Sequence, residues 1–210
     1  MKQDKNKDIE ARILKAAEQI FVKKGFDNAA MVDIAHEAGI GRTSLNYYFR
    51  TKEMLFEAIL GDLMGKILPN VEQIVNENSS YIVKIEKIID LYLGLIRKNE
   101  EVPLFILSEL KRDPQHLISF VVRDPVRLQP LLKLRVFIEN EMEKGTIRKM
   151  PLIDLFTTMI SLVVFPFLIR QPLTSVFLDD KDANFEAFLD RRTCFIHGVI
   201  ENLLKPETKS

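Results

Sequence analysis

The chain has 210 residues, 47% of them hydrophobic and 29% charged. That balance excludes a disordered or collagen-like chain, and a single cysteine, Cys194, excludes a disulfide scaffold. Thirty Lys and Arg offset thirty Asp and Glu, so no global field recruits a polyanion and any such role must rest on a local patch. The opening MKQDKNKDIE has no apolar leader, and the longest apolar stretch, 159–169, is interrupted by Ser161 and Pro166 and is too short to span a bilayer. The expectation is a cytoplasmic protein with no membrane partner.

Gly and Pro are few, Asn-Gly and Asp-Gly turns are absent, and apolar residues recur at spacings of three and four, which predicts an all-α fold. A first helix is expected over 8–24, with Ile9, Ile13, Ala16, Ala17, Ile20 and Phe21 in one stripe and Gly25 ending it. Two short helices, 31–38 and 42–49, follow on either side of Gly39-Ile40-Gly41. Thr51 reads as the N-cap of a longer helix reaching Pro69, with Glu53 in its first turn. Longer periodic runs over 81–99, 103–111, 125–144, 151–169 and 185–204 describe a helical bundle; the acidic stretch 179–182 reads as a loop and 206–210 as a frayed tail.

The short pair at 31–49 satisfies the steric requirements of a helix-turn-helix. Ile34 and Ala38 make the inner face of its first helix, Ala35 is small where the second must pass close, and Gly39 suits a positive φ at the turn. Ile40 plugs the space below, and Leu45 and Tyr48 face inward on the second helix. At about 100° per residue, an inward Leu45 sends Thr43 and Tyr47 to the far side with Ser44 and Asn46 beside them. Hydroxyls, an amide and a phenol can bond phosphates or base edges. From Gly39 to Lys52 the chain carries Arg42, Arg50 and Lys52 and no acid, a local +3 inside a neutral total.

The runs Ile13-Leu14-x-Ala16-Ala17-x-x-Ile20-Phe21, Ile34-Ala35-x-x-Ala38-Gly39-Ile40 and Ser44-Leu45-Asn46-Tyr47-Tyr48-Phe49-Arg50-Thr51-Lys52-Glu53-x-Leu55 resemble the N-terminal region of the tetracycline-repressor family of bacterial transcription regulators. The resemblance implies a three-helix DNA-binding head, a linking fourth helix, and a C-terminal helical-bundle domain that dimerises and binds a ligand. It divides the chain into a flexible tail at 1–7, the head at 8–51 with its motif at 31–50, a regulatory and dimerisation domain at 52–205, and a tail at 206–210. By position it puts DNA contacts on Arg42, Thr43, Ser44, Asn46, Tyr47 and Tyr48 and a phosphate-binding lysine on Lys52. Two departures matter. Ala29-Ala30-Met31 stands where the family usually has capping threonines, and Asn46 stands where it often has Tyr.

No reactive constellation suggests an enzyme. His36, His116 and His197 lie far apart, His36 on an outward edge, and no metal-ligand spacing or phosphate loop occurs, so no cofactor and no metal is expected. Cys194 lies in an apolar run and reads as a buried thiol. Polar residues inside apolar runs (Tyr92, Ser108, Glu109 and His116) together with the aromatics Phe105 and Phe137 form a candidate effector pocket for an apolar or aromatic molecule with one polar handle. Ile160, Val163, Val164 and Phe167, with Phe188, Phe195, Val199 and Leu203, exceed what one bundle readily hides and predict a homodimer seam. The sequence reads as a repressor of a palindromic double-stranded DNA operator, released by a small organic effector. The alternative is a regulator or helical interaction protein controlled by a protein partner, without a small-molecule pocket.

Overall fold

The computed structural model describes residues 2–179 and 182–206, among which there are eleven helices and no strand. They are α1 (Lys2–Asn28), α2 (Met31–Glu37), α3 (Arg42–Tyr48), α4 (Lys52–Asn76), α5 (Tyr81–Lys98), α6 (Val102–Arg112), α7 (Pro114–Val122), α8 (Pro125–Lys144), α9 (Leu152–Leu168), α10 (Arg170–Phe177) and α11 (Asp182–Leu204). No single helix among the described residues is long and apolar enough to cross a membrane.

Nine helices were expected, and the differences have local causes. α1 begins at Lys2 instead of 8, and bends at Gly25, whose φ of 73° and ψ of 160° are not helical. α4 continues past Pro69 to Asn76 because Leu68, Val71 and Ile74 keep a buried stripe going at spacings of three. α7 lies in the stretch left unassigned between 111 and 125, where the Asp113 carboxylate accepts the His116 N–H at 3.1 Å and Pro114 opens the helix at a position where its missing N–H costs nothing. α10 lies within the run of sequence left unassigned between 169 and 185. Of the expected acidic loop, residues 180–181 lie outside the described residues, as do 207–210 of the expected tail.

The helices gather into two compact units. The first takes the chain up to Lys66 together with Glu101–Pro125, so α6 and α7 cluster with α1 to α3 and the start of α4. Its centre is aromatic: Phe21 lies 5.2 Å from Phe26, and Phe56 lies 4.6 Å from Phe105 and 5.3 Å from the His116 ring. Offset and edgewise rings at such separations add to the transfer energy of large apolar side chains.

The second unit comprises Ile67–Glu100 and the described residues from Val126 onward. α5 supplies Ile85, Ile88, Ile89, Leu93 and Ile96, a single stripe at spacings of three and four. Against it stand Leu134, Ile138 and Met142 of α8, Leu155, Val163 and Phe167 of α9, and Phe185, Leu189, Ile196, Ile200 and Leu204 of α11. The Arg148 N–H donates to the Leu204 carbonyl at 2.8 Å, fixing the segment after α8 to the end of α11.

Candidate nucleic-acid interface

The turn between α2 and α3 is built by backbone bonding and one cation. Gly39 takes φ 64°, and the N–H groups of Gly39 and Ile40 donate back to the carbonyls of His36 and Ala35, both at 3.0 Å. Arg12 of α1 reaches across and donates to the Ala38 carbonyl at 2.6 Å, satisfying an otherwise orphaned acceptor at the end of α2. A Cβ on Gly39 would stand 3.3 Å from that guanidinium, so both the positive φ and the close approach favour glycine.

The missing threonine caps are partly replaced. Ala30 makes no side-chain cap, but the Asp33 carboxylate accepts the Ala30 N–H at 3.3 Å and pairs with Lys24 at 2.8 Å. The hydrogen bond from Lys24 and the Ala30 N–H hold the Asp33 carboxyl below its ordinary pKa.

α3 is anchored by Leu45, which is fully buried, and by Phe49 just beyond it. That fixes its rotation. Arg42, Thr43, Ser44, Asn46 and Tyr47 all face solvent, Tyr47 with 80% exposure, while His36 and Arg50 are exposed nearby. Tyr48 is half-buried: its hydroxyl donates to the Asn6 side-chain carbonyl at 2.6 Å, and its ring stands edge-on to Tyr47 at 5.3 Å. Lys52 is also half-buried, and its ammonium donates to the carbonyls of Phe26 and Asp27 at 2.8 and 3.0 Å. Asn6, Arg12 and the Lys52 clasp carried no signal in the sequence, because each acts across 25 to 42 residues.

The six residues of the expected effector pocket divide between the units. Phe105, Ser108, Glu109 and His116 belong to the first, Tyr92 and Phe137 to the second. Glu109 is 1% exposed and is not a free handle: Arg112 grips both of its oxygens and His116 Nδ1 lies 2.7 Å from Oε1. Ser108 donates to the Phe105 carbonyl at 2.8 Å in its own helix. In the second unit, burial pushes the Tyr92 phenol pKa up, and the Lys84 ammonium sits 4.9 Å over the Phe137 ring.

The seam residues divide as well. Val163 and Phe167 are core residues of their own chain and offer no surface to a second copy, since both point inward with Leu155. Ile160 and Phe195 are 57% and 59% exposed, and Val164, Phe188, Val199 and Leu203 are half-buried. Cys194 is exposed, contrary to the expected buried thiol: Ile196 and Ile200 turn α11's core face about 200° away from it.

A family model described as bacterial regulatory proteins, tetR family, matches residues 13–59, the stretch from Ile13 of α1 to Ile59 of α4. The nucleoid occlusion factor SlmA of Marinomonas sp. (strain MWYL1) is 23% identical over 143 residues, 68% of this chain and 72% of that protein. The fatty acid metabolism regulator protein of Bacillus subtilis (strain 168) is 22% identical over 112 residues, 53% of this chain and 57% of that protein. The fold matches the crystal structure of the Bacillus subtilis transcriptional regulator FadR in complex with stearoyl-CoA, with a TM-score of 0.62 and 16% identity over 89% of this chain and 96% of that one. The segment matched by the family model contains the Gly39 turn and the exposed face of α3, so residues 13–59 carry the N-terminal domain of the tetR type of bacterial regulatory proteins, the domain of a DNA-binding transcriptional regulator.

Proposed function

We propose that the chain is a homodimeric repressor that holds a palindromic operator and releases it when an amphiphilic small molecule binds. The observation that carries this reading is the face of α3: Arg42, Thr43, Ser44, Asn46 and Tyr47 stand in solvent on a helix whose rotation is fixed by a buried Leu45. Reading DNA puts the protein in the compartment that holds the chromosome, the cytoplasm.

Dimerisation is supported by the exposed Ile153 and Ile160 of α9 and Phe195 of α11, an apolar surface with charged neighbours in Asp154, Asp190 and Arg191. Two copies related by a two-fold axis present two α3 helices, and both enter the major groove on one face of a duplex if they lie about 34–36 Å apart or a multiple of that. Charged residues at Ile160 and Phe195 should give monomer or aggregate in sedimentation.

For the effector, the similarity to a fatty acid metabolism regulator and to a fold neighbour holding stearoyl-CoA favours a long-chain acyl thioester. Such a ligand suits the expected apolar body with one polar handle. Only differential affinity for the two arrangements of the head shifts the equilibrium, and a coupling of about 1–3 kcal/mol weakens DNA binding about 5–150-fold. The test is the affinity for a duplex selected from a randomised library, with and without stearoyl-CoA, and the reciprocal affinity for stearoyl-CoA with and without that duplex. Equal changes in both directions support the reading; stearoyl-CoA binding that leaves DNA affinity untouched overturns it.

A further inference from the structure

His116 of α7 stands between two carboxylates that belong to different helices of the first unit. Its Nδ1 lies 2.7 Å from Oε1 of Glu109 on α6, and its Nε2 lies 3.6 Å from Oε1 of Glu57 on α4. The imidazole also packs against the Phe56 ring at 5.3 Å, which keeps it beside α4.

The two nitrogens are not equivalent. Arg112 grips both oxygens of Glu109, which is 1% exposed, and an ionised carboxylate only accepts, so the 2.7 Å contact calls for the N–H on Nδ1. A neutral imidazole then presents a bare Nε2 lone pair to Glu57, acceptor against acceptor. One further proton on Nε2 turns the same contact into a charged donor facing a carboxylate.

The charged groups around the ring come from four helices. α4 supplies Glu57, α6 supplies Glu109 and Arg112, and Asp113 at the start of α7 accepts the His116 backbone N–H at 3.1 Å. α1 reaches the cluster through Asp27, whose charge acts on Arg112, and through Phe26, whose ring carries both Arg112 and Lys52. A proton on Nε2 thus adds a cation where these four carboxylates outnumber two cations.

The Glu57 contact matters for α3 because of where it falls on α4. Only residues 49–51 separate α3 from α4, and Lys52, the first residue of α4, donates to the carbonyls of Phe26 and Asp27. Glu57 follows five residues later, about 7.5 Å along the axis, so a bond to it holds the first turns of the helix from which α3 hangs.

We propose that His116 is a proton-operated tie: protonated on Nε2 it bridges Glu109 and Glu57, holds the start of α4 against α6 and α7, and raises affinity for DNA as pH falls through the neutral range where histidine changes charge. The inference rests on reading α3 as the helix that meets DNA. The proton then acts as a second ligand that favours the same arrangement of the helices as DNA does.

The experiment measures the affinity of the full chain for a duplex selected with it from a randomised library, at pH 6 and pH 8 and constant salt. Other titrating groups, the exposed His36 among them, act alike in every variant, so the readout is the ratio of the two affinities compared with the parent's. His116→Gln keeps an amide that can donate to Glu109 but takes up no proton, and Glu57→Gln removes the charge that the protonated ring would face. Each should cut the ratio by about two- to fivefold, the range of a partly exposed ion pair, and the double variant should cut it no further. A merely structural histidine would lower affinity by one factor at both pH values. Glu57 is half exposed, so Glu57→Gln keeps the test open if His116→Gln lowers the melting temperature. A parent-like ratio in Glu57→Gln, or losses that add in the double variant, overturns the proposal; a parent chain that selects no duplex overturns the DNA-binding reading itself.

Discussion

The Lys52 ammonium lies 2.8 Å from the Phe26 carbonyl oxygen and 5.0 Å from the centre of the Phe26 ring. On the same ring sits the Arg112 guanidinium, 4.1 Å from its centre. Phe26 thus joins the first residue of α4 to the last residue of α6, just past the Gly25 bend that ends the regular part of α1.

Lys52 should therefore behave as more than a phosphate contact. Lys52→Ala removes two hydrogen bonds to backbone carbonyls, each worth about 0.5–1.5 kcal/mol net, and a cation over an aromatic face. The expected result is a loss of about 1–2 kcal/mol in urea unfolding. Alongside it, DNA affinity should fall for all sequences alike, with a salt slope about one unit flatter. An unfolding midpoint equal to the parent's would mean the carbonyl clasp contributes nothing.

The fork between Arg112 and Glu109 predicts an asymmetry. Arg112 donates through Nε to Oε2 at 2.7 Å and through Nη2 to Oε1 at 2.5 Å, while Glu109 is almost wholly buried. Arg112→Ala strands a buried carboxylate that His116 alone faces within hydrogen-bond distance, and should cost about 2–4 kcal/mol. Replacing both partners with apolar residues of similar volume, Glu109→Leu with Arg112→Met, should cost much less. Unfolding free energies of the two single variants and the double variant check this directly, and a double variant as unstable as Arg112→Ala would contradict it.

The exposed side of α3 and its anchor should separate function from stability. Asn46→Ala and Tyr47→Ala should reduce discrimination among duplex sequences with little change in melting temperature, since both side chains are exposed. Leu45→Ala, at a fully buried position, should cost about 2–5 kcal/mol. A large stability loss on changing Asn46 or Tyr47 would show that α3 is rotated from its described position.

How much of this was legible in the sequence depends on the range of the interaction. The α3 face was legible because helical period and one anchor, Leu45, fix everything within seven residues. Thr51 as a cap was legible for the same reason, and its hydroxyl accepts the Met54 N–H at 3.2 Å. Glu109 misled, because a polar residue in an apolar run looks like a ligand handle until its partners Arg112 and His116 are known to share its cluster. Seam residues misled in part: Ile160 and Val163 are three apart in one apolar run, yet one is 57% exposed and the other 5%, a distinction only the packing of the neighbouring helices makes.

Glu18 sets a dependence on pH. Burial pushes its carboxyl from an ordinary 4.5 up to about 7, helped by the negative charges of Glu101 and Asp62 and opposed by Lys66 and Lys15. Its Oε1 is buried without a hydrogen-bond partner. The folded state therefore holds a proton that the unfolded chain has already released between pH 4.5 and about 7. Below pH 4.5 the carboxyl is neutral in both states and costs nothing; stability should fall as pH rises through that window and level off above about 7. Because water still reaches part of the side chain, the penalty at neutral pH is about 1–2 kcal/mol. Glu18→Gln, neutral at every pH, should be more stable than the parent by about that amount at pH 8 and no more stable at pH 4. Urea unfolding of both proteins across that range measures the difference, and parallel stability curves would place the Glu18 carboxyl in contact with water.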